Sequence, residues 1–277
     1  MSEAIWINGQ RNTSVSALDR GLAYGDGLFA TMRCQGGEIA FLENHLLRLA
    51  QGAKRLGIPW QATQALRSQL AEACAQGDTQ YSNDFCLKLL ISRGVGGRGY
   101  MPPQSPQLTE VISLHEIPAH YRQWQETGIR LQTSQVRLAK QALLAGIKHL
   151  NRLEQVLIRA QALAEGFDDW LVCDTDTGIV EASMANLFFI QGQTLVTPSL
   201  HFSGVAGVMR EQLILWFVAA GFNVEARQVL PSELAKFDHV LASNSLFGAV
   251  GITQIDNHSF SLSPLLANIR QELKLTL

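Results

Sequence analysis

A lone lysine inside an apolar run, Leu144-Ala145-Gly146-Ile147-Lys148-His149-Leu150-Asn151-Arg152-Leu153-Glu154-Gln155, constrains this chain more than any other stretch. Asn151, followed three residues later by Glu154, reads as a helix N-cap with its reciprocal partner. Leu153, Val156, Leu157, Ala160 and Leu163 then recur at helical spacing as far as Gly166, which predicts a helix with a buried stripe and a glycine stop. Lys148 falls just outside that helix, on a short tether with apolar neighbours. Desolvation disfavours an ammonium, so a lysine so placed is poised as the neutral amine that attacks an aldehyde. The same position also suits a lysine that lays its stem on apolar surface and keeps its ammonium in water. The local pattern leaves both readings open.

Composition narrows the classes. The chain has 277 residues, long enough for two modest domains with cores of their own. A net charge of −2 provides no basic field for a nucleic-acid backbone. No apolar run approaches the length of a membrane helix. The opening residues, Met1 to Trp6, lack a basic segment followed by an apolar core, so a cytoplasmic protein is expected. Cys34, Cys74, Cys86 and Cys173 are widely spaced and read as reduced thiols. No histidine pair has the HExxH spacing, so no metal site is expected.

Ala4-Ile5-Trp6-Ile7 before Asn8-Gly9 predicts an edge strand and a tight turn. Gly21, Gly25 and Gly27 suggest a loop that approaches something closely, followed by a strand from Leu28 to Cys34 with Phe29, Thr31 and Arg33 on one face. Leu42, Leu46, Leu49, Ala53 and Leu56 mark a helix stopped by Gly57, on which His45 and Arg48 are neighbours. A second helix is expected over 61–76, with Leu66, Leu70 and Ala73 inward, then strands at 85–91 and 111–115.

Gly94, Gly96 and Gly99 match a G-x-G-x-x-G spacing after a strand, but Pro102, Pro103 and Pro106 forbid the helix that would receive a pyrophosphate. A dinucleotide site is therefore rejected. Arg93 and Arg98 on this glycine loop are instead candidates to clamp a carboxylate. Residues 118–123 read as a linker between an N-terminal domain, 1–117, and a C-terminal domain, 118–277, that carries the lysine.

In the second half, strands are expected at 129–133 and 169–173, and a long strand over 179–190 carries Glu181 and Asn186. A carboxylate there is costly to bury unless a cation or donor meets it. Small residues from Ser203 to Gly207 lead into an apolar helix, whose free N-terminal amides suit an anion. Val240-Leu241-Ala242 ends in Ser243-Asn244-Ser245, a strand end rich in polar groups.

Taken in order, these motifs resemble the fold-type IV pyridoxal-phosphate enzymes. The pieces are Leu18-Asp19-Arg20-Gly21, Tyr24 to Phe29, His45 to Leu49, Ser92 to Gly94, Gly99-Tyr100, Gly146 to Arg152, Glu181-Ala182 and Asn186 to Phe188. The resemblance spans nearly the whole chain. It implies an α/β fold of the D-amino-acid aminotransferase type, with two domains and the cofactor at their interface. It also implies that Lys148 holds pyridoxal 5'-phosphate covalently and that Glu181 meets the pyridine nitrogen, keeping it protonated as an electron sink. Arg48, the backbone at Gly207, Val208 and Met209, and Asn244 and Ser245 match the family's phosphate contacts.

Thr31 stands where the family's lyases place a hydroxyl and its branched-chain aminotransferases a glycine, so the resemblance points to a lyase. The implied reaction releases pyruvate and 4-aminobenzoate from 4-amino-4-deoxychorismate, a small-molecule step in folate biosynthesis, with Lys148 and Thr31 as the catalytic pair. Lys88, Arg93 and Arg98 are candidates for the substrate carboxylates. A homodimer with no membrane or nucleic-acid partner is implied. The alternatives are a D-amino-acid or branched-chain aminotransferase of the same fold and, disfavoured by the prolines, a nicotinamide oxidoreductase.

Overall fold

Positive φ at Asn8 and Gly9 (48° and 78°) folds β1 (Ile5–Ile7) back on β2 (Gln10–Arg11), the geometry an Asn-Gly pair favours. The structure, a computed structural model, describes residues 4–81 and 84–277, so the first three residues of the opening stretch lie outside it. There follow α1 (Arg20–Tyr24), β3 (Gly27–Gln35), β4 (Glu38–Ile39), α2 (Leu42–Leu56), α3 (Gln64–Gln80), β5 (Phe85–Val95) and β6 (Gln107–Glu116). Helix α1 replaces part of the expected glycine loop. Asp19 caps it, accepting from the Gly21 N–H at 2.7 Å.

The six strands form one antiparallel sheet in the order β2-β1-β6-β5-β3-β4. Leu28, Ala30, Met32 and Cys34 of β3 share a core with Leu87, Leu89 and Ile91 of β5 and the inward residues of α2 and α3, Leu46, Leu49, Leu66 and Leu70. Phe29, Thr31 and Arg33 take the opposite face, as the period of two requires. Helix α3 starts at Gln64 because the Thr63 hydroxyl caps it by accepting from the Leu66 N–H at 3.1 Å.

Gly94 has its reason in the sheet. It sits at φ +78° in the irregular stretch between Ser92 and Val95, and a Cβ there would stand 1.6 Å from the Gln107 carbonyl oxygen. The chain then enters β6 with no intervening helix.

A second set of elements comprises α4 (His120–Thr127), β7 (Ile129–Thr133), α5 (Leu153–Ala160), β8 (Asp169–Cys173), β9 (Ile179–Ala182), β10 (Asn186–Gln191) and β11 (Thr194–Pro198). It continues with α6 (Val208–Ala219), β12 (Asn223–Arg227), β13 (His239–Asn244), β14 (Gly248–Ile255), β15 (His258–Ser259) and α7 (Leu265–Glu272). The expected linker is largely helix α4, because Tyr121 and Trp124 bury their rings against Phe247. The expected long strand is two strands. A bend at Ser183–Ala185 reverses the chain, and Asn186 pairs antiparallel with Glu181. That one pair closes β10-β13-β14-β7-β8-β9 into a ring, from which β11 and β12 continue outward. Closure leaves β9 and β10 no open edge at the seam.

Helix α5 differs most from expectation. It ends at Ala160, and its buried residue is Ile158, whereas Leu153, Val156 and Leu157 are 69%, 59% and 51% exposed. Asn151 does not cap it. The Asn151 amide donates to the Gly25 carbonyl at 2.9 Å, and Glu154 Oε1 accepts from the Ala139 N–H at 2.8 Å. Nearby backbone groups outcompeted the local reciprocal bond.

The elements cluster as two compact units, Met1–Ile117 with Ile147–Asn151, and Pro118–Gly146 with Arg152–Leu277. Lys148 thus clusters with the first unit, although it follows the first residues of the second in sequence. Among the described residues no helix is long and apolar enough to cross a membrane, and no cluster of three or more His, Cys, Asp or Glu is placed to hold a metal.

Candidate active site

In the first unit the lysine segment behaves as a short addition to the sheet. The Phe29 N–H donates to the Lys148 carbonyl at 3.0 Å, and the Leu150 N–H donates to the Gly27 carbonyl at 3.0 Å. Ile147 is buried and lies against Gly52 of α2, where a Cβ would meet its Cγ2 at 3.3 Å. Backbone pairing on one side and core packing on the other fix where the Lys148 side chain begins. Its Nζ sits 4.5 Å from the centroid of the Phe29 ring, and Lys88 Nζ sits 5.3 Å from the same centroid. Thr31 is the cross-strand partner of Lys88 and follows Phe29 on its face of β3. Lys148 and Lys88, both singled out in the sequence, therefore share one aromatic ring, and Thr31 pairs with Lys88 on the neighbouring strand.

Helix α2 contributes His45 and Arg48. His45 is fully buried, and neither ring nitrogen has a hydrogen-bond partner among the described residues. Burial first, then the charges of Arg48 and Lys148, hold its pKa well below the usual histidine value, so the imidazole is neutral. Arg48, one helical turn on, is half-buried, with Nε and Nη2 shielded from solvent.

Arg93 is not the mobile clamp that its glycine loop suggested. Its Nε donates to Asp26 Oδ2 at 2.8 Å, Nη1 to the Gly57 carbonyl at 2.7 Å and Nη2 to the Leu56 carbonyl at 2.8 Å. All three nitrogens are thus engaged by the end of α2 and the turn before β3. Asp26 Oδ2 also accepts from Arg20 Nε at 2.9 Å, and Arg20 donates to the carbonyls of Gly99 and Tyr100 at 3.0 and 3.1 Å. The glycine loop is thereby tied down. Burial pushes the Asp26 carboxyl up, but hydrogen bonds and charges from Arg93 and Arg20 outweigh it and hold the pKa below the usual value. Sequence reading gave Asp26 and Arg20 no role of their own, because apart from each other their partners are 67 to 81 residues away. Arg98 is exposed.

In the second unit, Glu181 and Asn186 meet at the ring closure. Glu181 Oε2 accepts from the Val205 N–H at 3.0 Å, while Asn186 Nδ2 donates to the Val205 carbonyl at 2.8 Å. The two seam residues hold both polar groups of one peptide residue, which fixes the approach to α6. Gly146 pairs with the same loop, donating to the Gly204 carbonyl at 2.9 Å and accepting from the Ala206 N–H at 3.0 Å. The Glu181 charge also acts on Arg152, opposing the burial that lowers the arginine's pKa.

Gly207 caps α6 at a place with no room for a side chain, since a Cβ would stand 2.2 Å from Asn186 Oδ1. Val208 and Met209 bury their side chains and so offer an anion only backbone N–H groups, which at a helix start have no intrahelical acceptor. Asn244 departs from expectation. Its Oδ1 accepts from the N–H groups of Leu246 and Phe247, each at 2.9 Å, so its side chain shapes the turn. Half-buried Ser245 follows it in that turn.

These residues fit pyridoxal 5'-phosphate. In the first unit a lysine amine set on an aromatic ring suits an aldehyde, and the guanidinium of Arg48 suits a phosphate. In the second a buried carboxylate that accepts a backbone N–H suits a ring N–H, and the amides at the start of α6 suit an anion.

Residues 27–255 match the family described as amino-transferase class IV. The chain is 35% identical over 250 residues to an aminodeoxychorismate lyase of Vibrio harveyi, with 90% of each covered. The crystal structure of 4-amino-4-deoxychorismate lyase from Pseudomonas aeruginosa matches with a TM-score of 0.92 and 39% identity, covering 99% of this chain and 100% of that one. A hypothetical aminotransferase from Mycobacterium tuberculosis, in its PLP-bound form, shares the fold with a TM-score of 0.82 at 19% identity, covering 96% of this chain and 93% of that one. The chain therefore belongs to the class IV amino-transferases, α/β enzymes of fold type IV that depend on pyridoxal 5'-phosphate.

Proposed function

We propose that this chain is an aminodeoxychorismate lyase, converting 4-amino-4-deoxychorismate to 4-aminobenzoate and pyruvate. The observation that carries the reading is the setting of Lys148 and Lys88 on the Phe29 ring, with Thr31 the strand partner of Lys88, in a chain similar from end to end to a solved lyase. When bound, the cofactor supplies an aldehyde for an amine and a protonated ring that withdraws electrons from the carbon losing a proton. Lys148 binds it covalently, and its amine removes the C4 proton of the substrate once released. Thr31 and Lys148 return a proton to the enol side chain leaving C3, which departs as pyruvate while the six-membered ring becomes aromatic.

Glu181 keeps a proton on the pyridine nitrogen. It is held for that role by the Val205 N–H. Arg48, the amides at Gly207, Val208 and Met209, and Ser245 bind the phosphate. Lys88 and Arg98 receive the substrate carboxylates, while Arg93 is held by Asp26 and the carbonyls at the end of α2. The exposed Leu153, Val156 and Leu157 of α5 favour a homodimer, since adjacent apolar side chains on one helix are costly to leave in water. Four buried free cysteines suit the cytoplasm.

Incubation with 4-amino-4-deoxychorismate should yield 4-aminobenzoate and pyruvate in equal amounts, and Lys148→Ala should lose both turnover and the adduct that borohydride fixes. Full turnover by the alanine variant would refute the assignment. Amino transfer to a keto acid outpacing pyruvate release would replace the lyase with an aminotransferase.

A further inference from the structure

The first unit holds a cleft that the reaction as derived does not use. Its volume is about 1000 Å³, large enough for a small organic molecule. The end of α2, the segment that follows it, the start of α3 and the opening of β6 form the walls. Glu110 of β6 lines the cleft and shares its face of the strand with Ile112 and Leu114, which belong to the core beneath α2 and α3. Phe29 and Thr31 lie on the other face of the same sheet. The sheet therefore stands between this cleft and the Phe29 ring on which Lys148 is set.

The lining has a definite chemistry. Ile58, Trp60 and Leu66 give it an apolar base. Glu110 Oε1 accepts from Trp60 Nε1 at 2.6 Å. The main chain at Glu110 is fixed as well, since its N–H donates to Asn8 Oδ1 at 2.8 Å and its carbonyl accepts from the Asn8 N–H at 2.9 Å. This wall is set before any ligand arrives, which lowers the cost of binding. Across from it, Lys54 extends from the last turn of α2 and is exposed. Among the described residues, neither Lys54 nor Glu110 has an oppositely charged side chain within ion-pair distance.

A solvated lysine is ordinary by itself. A cation and a carboxylate that line one cleft over an apolar base, and pair neither with each other nor with any other charge, are together complementary to a molecule that spans them. The two groups stand on different walls, one on a helix and one on a strand. That favours a ligand whose carboxylate and amino group lie at opposite ends of its body over one that carries both on a single carbon.

We propose that this cleft is a second small-molecule site, taking a flat aromatic amino acid whose carboxylate meets Lys54 and whose amino group donates to Glu110. 4-Aminobenzoate has that form. That such a ligand is also the product of the reaction rests on the lyase reading given above; the complementarity of the cleft does not.

Calorimetric titration of the holoenzyme with 4-aminobenzoate tests the assignment, with benzoate and aniline as ligands that each lack one end. Lys54→Met should raise the Kd for 4-aminobenzoate and for benzoate by about threefold, the size of an exposed ion pair, and leave aniline unchanged. Glu110→Gln keeps an oxygen for the Trp60 N–H and should raise the Kd for 4-aminobenzoate and for aniline by about tenfold, the size of a hydrogen bond to a charged group, while benzoate is unaffected. Lyase kcat/KM should stay within about twofold of wild type in both variants, as neither residue has a part in the reaction. If Glu110→Gln does not fold, the exposed Lys54 position carries the comparison alone. Absence of 4-aminobenzoate binding, or binding that Lys54→Met leaves unchanged, would overturn the proposal. A parallel fall in kcat/KM would place the ligand at the reaction site and overturn it too. A protein that binds as described but releases no pyruvate from 4-amino-4-deoxychorismate would fail the lyase reading and keep the cleft, so the two failures are distinct.

Discussion

Asp26→Asn tests the network that ties the glycine loop to the rest of the sheet. Asp26 Oδ2 receives Arg20 Nε at 2.9 Å and Arg93 Nε at 2.8 Å, and the two guanidinium groups are only 5% and 8% exposed. Asparagine keeps the shape and can offer one oxygen, but it removes the single negative charge between two buried positive ones. Breaking a buried ion pair by deleting one partner costs about 3–5 kcal/mol. Carbonyl acceptors at Leu56, Gly57, Gly99 and Tyr100 remain in place for the two arginines, so the lower end, about 3 kcal/mol, is expected. For a chain of this size that corresponds to a Tm lowered by roughly 6–12 °C.

Urea unfolding followed by tryptophan fluorescence measures the difference directly. Its pH dependence has a definite sign. The Asp26 pKa is lowered in the folded protein, so the stabilisation is complete above the unfolded carboxylate value of about 3.9 and is lost as pH falls through the folded value. The gap between wild type and variant should be full at neutral pH and close in strong acid. A neutral-pH difference below about 0.5 kcal/mol would refute the account, since a variant within that range behaves as an ordinary surface change. A gap that stays constant into strong acid would refute it equally.

Three further outcomes follow from the site. Gly207→Ala places a Cβ against Asn186 Oδ1 and should displace the Asn186 to Val205 bond, weakening pyridoxal 5'-phosphate binding while the ring stays closed; unchanged affinity would show that the loop adjusts freely. Thr31→Ala should retain the cofactor's visible absorbance and slow pyruvate release by about 10²-fold, the lower range for a general acid, and an unchanged rate would remove Thr31 from the reaction. Glu181→Gln should keep the bond from the Val205 N–H, yet lower kcat by shifting the pyridine nitrogen toward its unprotonated form; a normal kcat would separate the carboxylate charge from turnover.

Much of this site could be read in advance, for a physical reason. Phe29 and Thr31 are two apart on a strand, so alternation alone puts them on one face, and the lysine stretch declares itself by standing in an apolar run. Helix α2 carried both its stripe and its glycine stop in sequence. What failed was whatever depended on distant partners. Asn151 looked like a cap, but its side-chain amide is turned to the carbonyl of Gly25, 126 residues earlier. Residues 179–190 look like one strand because every residue suits a strand, and nothing local marks the reversal at Ser183 that the ring closure demands. The apolar residues of α5 have helical spacing, but spacing does not say which of them the chain itself covers: Ile158 is buried, and Leu157 beside it is not.

The bonds that seat position 148 belong to the main chain, so they survive any change in what that residue carries beyond Cβ. Truncation to alanine should therefore leave a vacated channel beside the Phe29 ring instead of a collapsed one. Small primary amines added from solution could lodge there and restore part of the lost turnover, with an efficiency that tracks how well each amine's length and basicity replace the missing propylamine arm.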